Sequence, residues 1–252
     1  MRKFTLARSI CLVVAVGTAT PAFADSIFGV YAGGQLWRSD NSGSFGTPAT
    51  NPDFSFGKEN LNSFYVALEH PIPLFPNAKI RHNELDHAGQ QVLQQDYDFF
   101  GNSFAAGTAL SYSTDFSHTD YTLYYELFDN DLVSFDLGVT AKRVDGLIVA
   151  RSAQQERAVS PDGWIPTLYS QVRVGIPATP LTVYGLANAV SIDDSKVEDY
   201  EVGIEYRPIE NFAVDVNLQL GYRVFNLELD DLDGVYSNLE YKGPYVGIEF
   251  HF

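Results

Sequence analysis

Gly243-Pro-Tyr-Val-Gly-Ile-Glu-Phe-His-Phe252 decides the fold, because it divides into two unlike faces. Successive side chains of a β-strand point to opposite sides. Pro244, Val246, Ile248, Phe250 and Phe252 therefore share one side, and Gly243, Tyr245, Gly247, Glu249 and His251 the other. The first face is wholly apolar; the second is polar or glycine. Working back along the chain, the same division recurs. Phe212, Val214, Val216, Leu218, Leu220, Tyr222 and Val224 oppose Ala213, Asp215, Asn217, Gln219, Gly221 and Arg223. Tyr200, Val202, Ile204 and Tyr206 oppose Glu201, Gly203, Glu205 and Arg207, and Val133, Phe135, Leu137 and Val139 oppose Ser134, Asp136, Gly138 and Thr140. Similar faces occur around Leu168–Ile176, Leu123–Leu127 and Phe28–Leu36.

Strict alternation over such lengths is the signature of half-buried strands. The apolar faces run for nine or more residues, close to the ~9–11 that a tilted strand needs to cross a bilayer. Lipid offers no hydrogen bonds, so strands within it must close into a barrel, apolar face outward and polar face lining the lumen. A secreted soluble β-sandwich binding module would alternate too, with the apolar face turned into a dry core.

Proline, glycine, Asp and Asn mark the turns. Short connections fall at 70–77, 128–131, 177–180 and 207–211, and longer ones at about 40–59, 86–115, 145–163, 192–196 and 230–236. This alternation of short turns and long loops matches an up-and-down antiparallel transmembrane β-barrel. The spans number ten, at about 26–39, 60–70, 77–87, 116–128, 131–145, 163–176, 181–191, 196–207, 212–229 and 237–252, with eight strands as the alternative. Segment 79–86 is mostly polar, 181–190 alternates poorly, and 88–115 has room for a further hairpin.

The first 24 residues read as a secretory signal peptide. Arg2, Lys3 and Arg8 form a basic start, Ile10–Val16 an uncharged apolar core, and Ala22-Phe23-Ala24 a small-residue cleavage box, with cleavage expected after Ala24. The apolar core is too short for a membrane-spanning helix, which takes ~20 residues. The remaining domain, residues 25–252, lacks cysteine, since Cys11 lies in the signal segment, so disulfides contribute nothing to its stability. Loss of three basic residues and no acids moves the net charge from −16 to −19. Such a chain is a poor partner for nucleic acid, which requires a basic face.

Tyr245-Val-Gly-Ile-Glu-Phe-His-Phe252 resembles the terminal signature by which outer-membrane barrels are recognised for assembly. Phe252, Phe250 and Ile248 match its aromatic and hydrophobic positions, and Gly247 its upstream glycine. The opening Gly29-Val-Tyr-Ala-Gly33 with Trp37, the turn His70-Pro-Ile-Pro-Leu-Phe-Pro-Asn77 and the strand Tyr124-Tyr-Glu126 resemble a group of small, uncharacterised proteobacterial outer-membrane barrel proteins. That resemblance implies a Gram-negative envelope location, contact with outer-membrane lipid and lipopolysaccharide, and handling by the barrel-assembly machinery. It implies no particular activity.

The inward face collects Glu126, Asp136, Lys142, Gln171, Arg173, Glu201, Glu205, Asp215, Asn217, Gln219, Arg223 and Glu249, with His251 at its end. Unpaired charges are costly in a narrow bore, so pairing is expected, with Arg173 and Arg223 as the bidentate partners of carboxylates. A lumen plugged by ion pairs and a small cation-preferring channel both fit; acids outnumber bases six to three on this face, which is what points the channel reading to cations.

Catalysis has three candidate groupings, His82/Asp86/His87, Ser117/His118/Asp120 and Asp193/Asp194, where an outer-rim hydrolase would place them. No nucleophile motif frames them, so a non-enzymatic, structural or narrow-pore role without cofactor is expected. Asp231, Asp233, Gly234 and Glu240 fall at calcium-loop positions, but Leu229 stands where the first acid belongs. An acidic, solvated loop tip is the simpler expectation. Tyr125, Phe128, Tyr206 and Phe252 lie near the short turns, and Trp164, Tyr200 and Tyr222 toward the other end, as two interfacial aromatic bands would.

Overall fold

Sixteen strands form among the described residues: β1 (Gly29–Gly46), β2 (Asp53–Glu69), β3 (Asn77–Asn83), β4 (Asp86–Val92), β5 (Tyr97–Phe99), β6 (Asn102–Phe104), β7 (Ala109–Asp115), β8 (His118–Asp129), β9 (Val133–Asp145), β10 (Leu147–Arg151), β11 (Glu156–Val159), β12 (Asp162–Gly175), β13 (Leu181–Ile192), β14 (Ser195–Ile209), β15 (Asp215–Leu232) and β16 (Val235–His251). They come from a computed structural model that describes residues 28–252 except 48, 49, 51, 131, 193, 194, 212, 233 and 234; of the side chains of 55, 231, 232 and 235 nothing is said. The signal segment, the Asp193/Asp194 pair and Asp233 lie outside the described residues.

Ten strands close a barrel in the order β1-β16-β15-β14-β13-β12-β9-β8-β3-β2, every pairing antiparallel. The expected count of ten holds, and eight does not. At the seam between first and last strands, Phe252 N–H donates to Val30 O at 2.9 Å and Val30 N–H to Phe252 O at 3.2 Å. Closure satisfies the backbone groups that an open edge would leave bare in lipid.

The expected outward face is outward. Phe64, Val66, Leu123, Val139, Leu168, Val202, Ile204, Leu218, Leu220, Val246 and Ile248 are all exposed on the barrel wall, Leu220 by 62%. Trp164 and Tyr121 touch, rings 5.8 Å apart, on the same wall as Tyr200 and Tyr222 toward the distal end, the end opposite the termini. Tyr125, Phe128, Tyr206 and Phe252 are exposed toward the proximal end. β13 alternates poorly because its outward positions are small: Gly185, Ala187 and Ala189 face out while Tyr184, Leu186 and Asn188 face in.

The expected long loops are the main correction. Segment 40–59 is largely strand, since β1 runs on to Gly46 and β2 begins at Asp53. Segment 86–115 holds β4 to β7, and 145–163 holds β10 and β11. β15 and β16 continue to Leu232 and from Val235, so 230–236 is mostly strand. The expected strand 77–87 ends at Asn83, and the chain then leaves the barrel for β4. Together β11, β10, β7 and β4 make a separate sheet, and β5 and β6 a hairpin.

This distal sheet and hairpin bury Leu110, Tyr112, Ile148, Ala150, Tyr97, Phe99 and Phe104 against Phe45, Phe54, Phe56, Leu227, Leu239 and Tyr241 of the barrel extensions. Phe45 stacks on Phe54 at 4.3 Å and meets Phe99 edge-on at 5.9 Å, and Tyr97 Oη donates to Phe45 O at 3.0 Å. Gly43, with φ +146°, lets β1 pass where a side chain would meet the Asn238 carbonyl at 2.0 Å. The strands thus change solvent midway. On β15 the buried side reads Asn217, Gln219, Arg223 and then Phe225, Leu227, Leu229; the outer side reads Leu218, Leu220, Tyr222 and then Asn226, Glu228, Asp230.

Candidate functional site in the bore

Polar side chains fill the barrel at belt level in two linked tiers. In the upper tier Arg223, 1% exposed, grips Asp199 with Nε to Oδ1 at 2.8 Å and Nη2 to Oδ2 at 2.7 Å. Its Nη2 also donates to Asn83 Oδ1 at 2.9 Å, and its guanidinium lies 4.9 Å from the Trp37 ring. Arg81 pairs with Glu201 and donates to Gln35 Oε1 at 2.6 Å and Ser63 Oγ at 3.1 Å. Lys142 Nζ meets Asp120 Oδ2 at 2.8 Å.

In the lower tier Arg173 lies between Glu249 at 3.4 Å and Glu205 at 3.5 Å. Glu249 also accepts from Tyr65 Oη at 2.6 Å and Asn217 Nδ2 at 3.1 Å, and Glu205 accepts from Gln219 Nε2 at 3.0 Å. Gln171, with its amide oxygen turned toward Arg173, accepts from Nε at 2.6 Å and donates to Tyr169 Oη at 2.7 Å. Gln35 Nε2 joins the tiers, donating to Glu201 at 3.1 Å and Gln219 at 3.3 Å.

The inward glycines are explained by this filling. A side chain at Gly33 would strike the Tyr65 ring, and one at Gly221 the Tyr245 ring. Tyr245 in turn hydrogen-bonds Tyr184 across the bore. Gly247 likewise leaves room for Gln219 and Gln35, while Ile248, Phe250 and Phe252 continue the outer face of the seam strand.

The Arg81–Glu201 pair spans the lumen. β3 and β14 stand five strands apart in either direction round the ten-strand ring, so this ion pair crosses the full bore. The cavity left among Lys79, Arg81, Asp120, Thr122, Tyr169, Leu186, Asn188 and Asp199 has a volume of about 10 Å³, on the scale of a single water. Buried charges tolerate this setting only when paired, because desolvation costs several kcal/mol per ion.

The sequence-expected lumen residues divide by depth. Lys142, Gln171, Arg173, Glu201, Glu205, Asn217, Gln219, Arg223 and Glu249 join the two tiers; Arg223 makes the expected bidentate pair, with Asp199, whereas Arg173 meets two carboxylates, Glu205 and Glu249, through Nη2 alone. Asp136 is buried nearer the proximal mouth. Glu126 departs from the expected filled network: it is exposed at that mouth, just before a register shift in β8. Asp215 also stands apart, at the proximal rim, 3.9 Å from both Arg207 and His251, whose ring stacks on Tyr31. The tier residues absent from the expected lumen list are Gln35, Tyr65, Arg81, Asn83 and Asp199, with Asp120, which was expected in a catalytic grouping instead. The parity of β3 carried a signal, since Lys79, Arg81 and Asn83 alternate with Ala78, Ile80 and His82.

The histidines of the candidate catalytic groupings have separate surroundings. His82 is exposed and its Nδ1 contacts Thr119 Oγ1 at 3.1 Å. His118 is buried, its ring nitrogens contacting Phe116 O at 3.0 Å and Asn83 Nδ2 at 3.2 Å, and Ser117 Oγ accepts from Leu85 N–H at 3.1 Å. Asp86 and His87 do border a distal groove of about 380 Å³ with Glu59, Thr114, Asp115 and Leu147. The His87 ring, however, packs against Phe56 and Tyr241, centroids 4.0 and 5.0 Å away, and bonds Thr114 Oγ1 at 2.9 Å. Burial lowers its pKa to about 4, Asp115 opposing the shift. Among the described residues no group of three His, Cys, Asp or Glu has metal-site geometry, and Glu240 pairs with Lys242.

No family model and no curated protein matches the sequence. Solved structures are similar in fold. The outer membrane protease OmpT from Escherichia coli aligns with a TM-score of 0.50 at 11% identity, over 89% of this chain and 97% of that one. The attachment invasion locus protein Ail of Yersinia pestis aligns over 89% and 99% with a TM-score of 0.33 at 10% identity. A Pseudomonas aeruginosa FadL homologue aligns over 89% and 90% with a TM-score of 0.33 at 9% identity. Ten closed antiparallel strands and an apolar outer wall give this chain the fold of a small bacterial outer-membrane β-barrel.

Proposed function

We propose that this protein is a plugged, non-conducting barrel of the outer membrane that holds a rigid β-sandwich at its outer surface, and that it acts without catalysis. The Arg81–Glu201 pair across the bore carries the first half of this reading. An aqueous path would require three buried bases, Arg81, Lys142 and Arg223, and the half-buried Arg173 to release their carboxylates. The distal sheet supports the second half, because its aromatic core seats it on the barrel extensions. Outer-membrane location, with the distal end outward, follows from the apolar wall and the short proximal turns. Contact with lipopolysaccharide and assembly through the barrel machinery, signalled by Gly247, Ile248, Phe250 and Phe252, belong to the same reading. The non-catalytic part is supported by the burial of His118 and by the packing of the His87 ring against Phe56 and Tyr241.

Conductance of the purified, refolded protein in planar bilayers tests the plug, with Arg223→Ala alongside. Silence from the wild type is expected. Stepwise current from the wild type overturns the proposal, and a narrow cation-preferring pore takes its place.

A further inference from the structure

The first proximal turn, His70–Asn77, is more apolar than its neighbours. Ile72, Leu74 and Phe75 are all exposed, Leu74 by 91%. Among the described residues the other proximal turns expose Phe128 and Leu132, Ile176, or Ile209. No charged residue lies between His70 and Asn77.

The turn is also held in one shape. Asn77 Oδ1 accepts from His70 N–H at 3.0 Å, Ile72 N–H donates to His70 Nδ1 at 3.2 Å, and His70 Nε2 contacts Pro76 O at 3.1 Å. Phe75 packs edge-on to the His70 ring at 6.3 Å. Leu74 adopts φ +68°, the left-handed region that costs a branched-chain residue ~1–3 kcal/mol. Its carbonyl accepts from Tyr125 Oη at 3.0 Å. Tyr124 points into the bore and Tyr125 out toward lipid, so this bond draws the turn over the outer wall instead of across the lumen mouth.

We infer that this turn is a membrane anchor, with Ile72, Leu74 and Phe75 inserted among the acyl chains of the proximal leaflet. The occupant is lipid because the patch continues the apolar wall at Tyr125 and Leu127 without a break. The chemistry fits hydrocarbon and not headgroups, since the turn has no lysine or arginine to meet a phosphate and the His70 ring is engaged with Ile72 N–H and Pro76 O. Each buried methylene contributes ~0.8 kcal/mol, so three such side chains offset the strain at Leu74. The anchor sets the depth and tilt of the barrel at its proximal rim.

Nitroxide labels test it on the full chain carrying Cys11→Ala, refolded into lipid vesicles, with heat-modifiable gel migration confirming the fold of each variant. Labels enter through Leu74→Cys and Phe75→Cys, with Leu220→Cys as the lipid-wall reference and Glu210→Cys as the aqueous one. Oxygen collisions should exceed those of a water-soluble nickel chelate at Leu74 and Phe75, as at Leu220, with the reverse at Glu210. Nickel-dominated collisions at both turn positions overturn the inference. So does protection from both reagents that deepens with protein-to-lipid ratio, which would mean a second copy of the chain covers the turn. Tyr125→Phe should move the Leu74 label toward the nickel-accessible side, and an unchanged ratio overturns the latch.

Discussion

Below Tyr222, β15 turns Leu218 and Leu220 to the outside and Asn217 and Gln219 inward; above Val224 it turns Asn226 and Glu228 outside and Phe225 and Leu227 inward. The backbone ladder to β14 and β16 runs through this change without interruption. The solvent differs, and the side chains exchange places accordingly. Where lipid surrounds the barrel, the interior must be polar enough to fill a bore and paired enough to survive there. Where water surrounds it, the interior reverts to the dry aromatic core of a soluble sandwich. One continuous strand therefore serves two folding regimes, stabilised by ion pairing in one and by apolar burial in the other.

Breaking the ionic regime should have the largest effect. Arg223→Ala leaves Asp199 buried without its bidentate partner, at a cost of about 3–5 kcal/mol. The thermal midpoint of the gel-mobility shift should fall well below that of the wild type. A midpoint within error of the wild type would mean that the upper tier is hydrated and contributes little.

The exchange of outer faces can be tested by placing the same residue on either side of it. Leu220→Arg puts a charge in the lipid wall and should cost about 2–4 kcal/mol, whereas Asn226→Arg, six residues on, should stay within about 0.5 kcal/mol. Equal costs in denaturant titrations of vesicle-refolded protein would erase the boundary drawn at Tyr222.

Acid should loosen the distal sandwich before the barrel. His87 is held neutral, with its pKa lowered from the usual 6.5 to about 4, so its stabilising effect is full above pH 6.5 and fades as the pH falls toward 4. The loss is up to about 3 kcal/mol. Protease cleavage within 86–115 should rise over that window while the barrel keeps its folded mobility, and His87→Phe should flatten the response. Unchanged cleavage from pH 7 to 4 would sink this account.

The smallest effect belongs to the exposed pair Arg151 and Glu156 on the distal sheet. Arg151→Ala should change stability by under about 1 kcal/mol, and salt should diminish even that. A larger loss would mark this outer face as a structural element in its own right.

The belt was legible residue by residue. Period-two alternation is a local property, and lipid makes it strict, so Leu218, Leu220, Val246 and Ile248 declared their side before any contact was known. Arg173 and Arg223 were identified as carboxylate partners on the same basis. The distal sandwich was legible only as room for a further hairpin at 88–115, where β5 and β6 form; its other strands were read as loops. Polar outward residues such as Asp40 and Lys58 resemble a solvated loop when the apolar partners of Phe45 and Phe54 lie fifty residues and more away, at Phe99 and Tyr112. The parity change at Val224-Phe225 stands in the sequence, but only the opposing sheet gives it meaning.

The sequence by itself determined that the belt strands exist, which side of each meets lipid, and that the bore must be polar. Tertiary structure alone decided how the bore is filled. Arg81 and Glu201 are 120 residues apart and come together only because ten strands close a ring that sets β3 opposite β14. Alternation is a property of single strands, whereas a partner across the lumen depends on strand number and register, which no local pattern encodes.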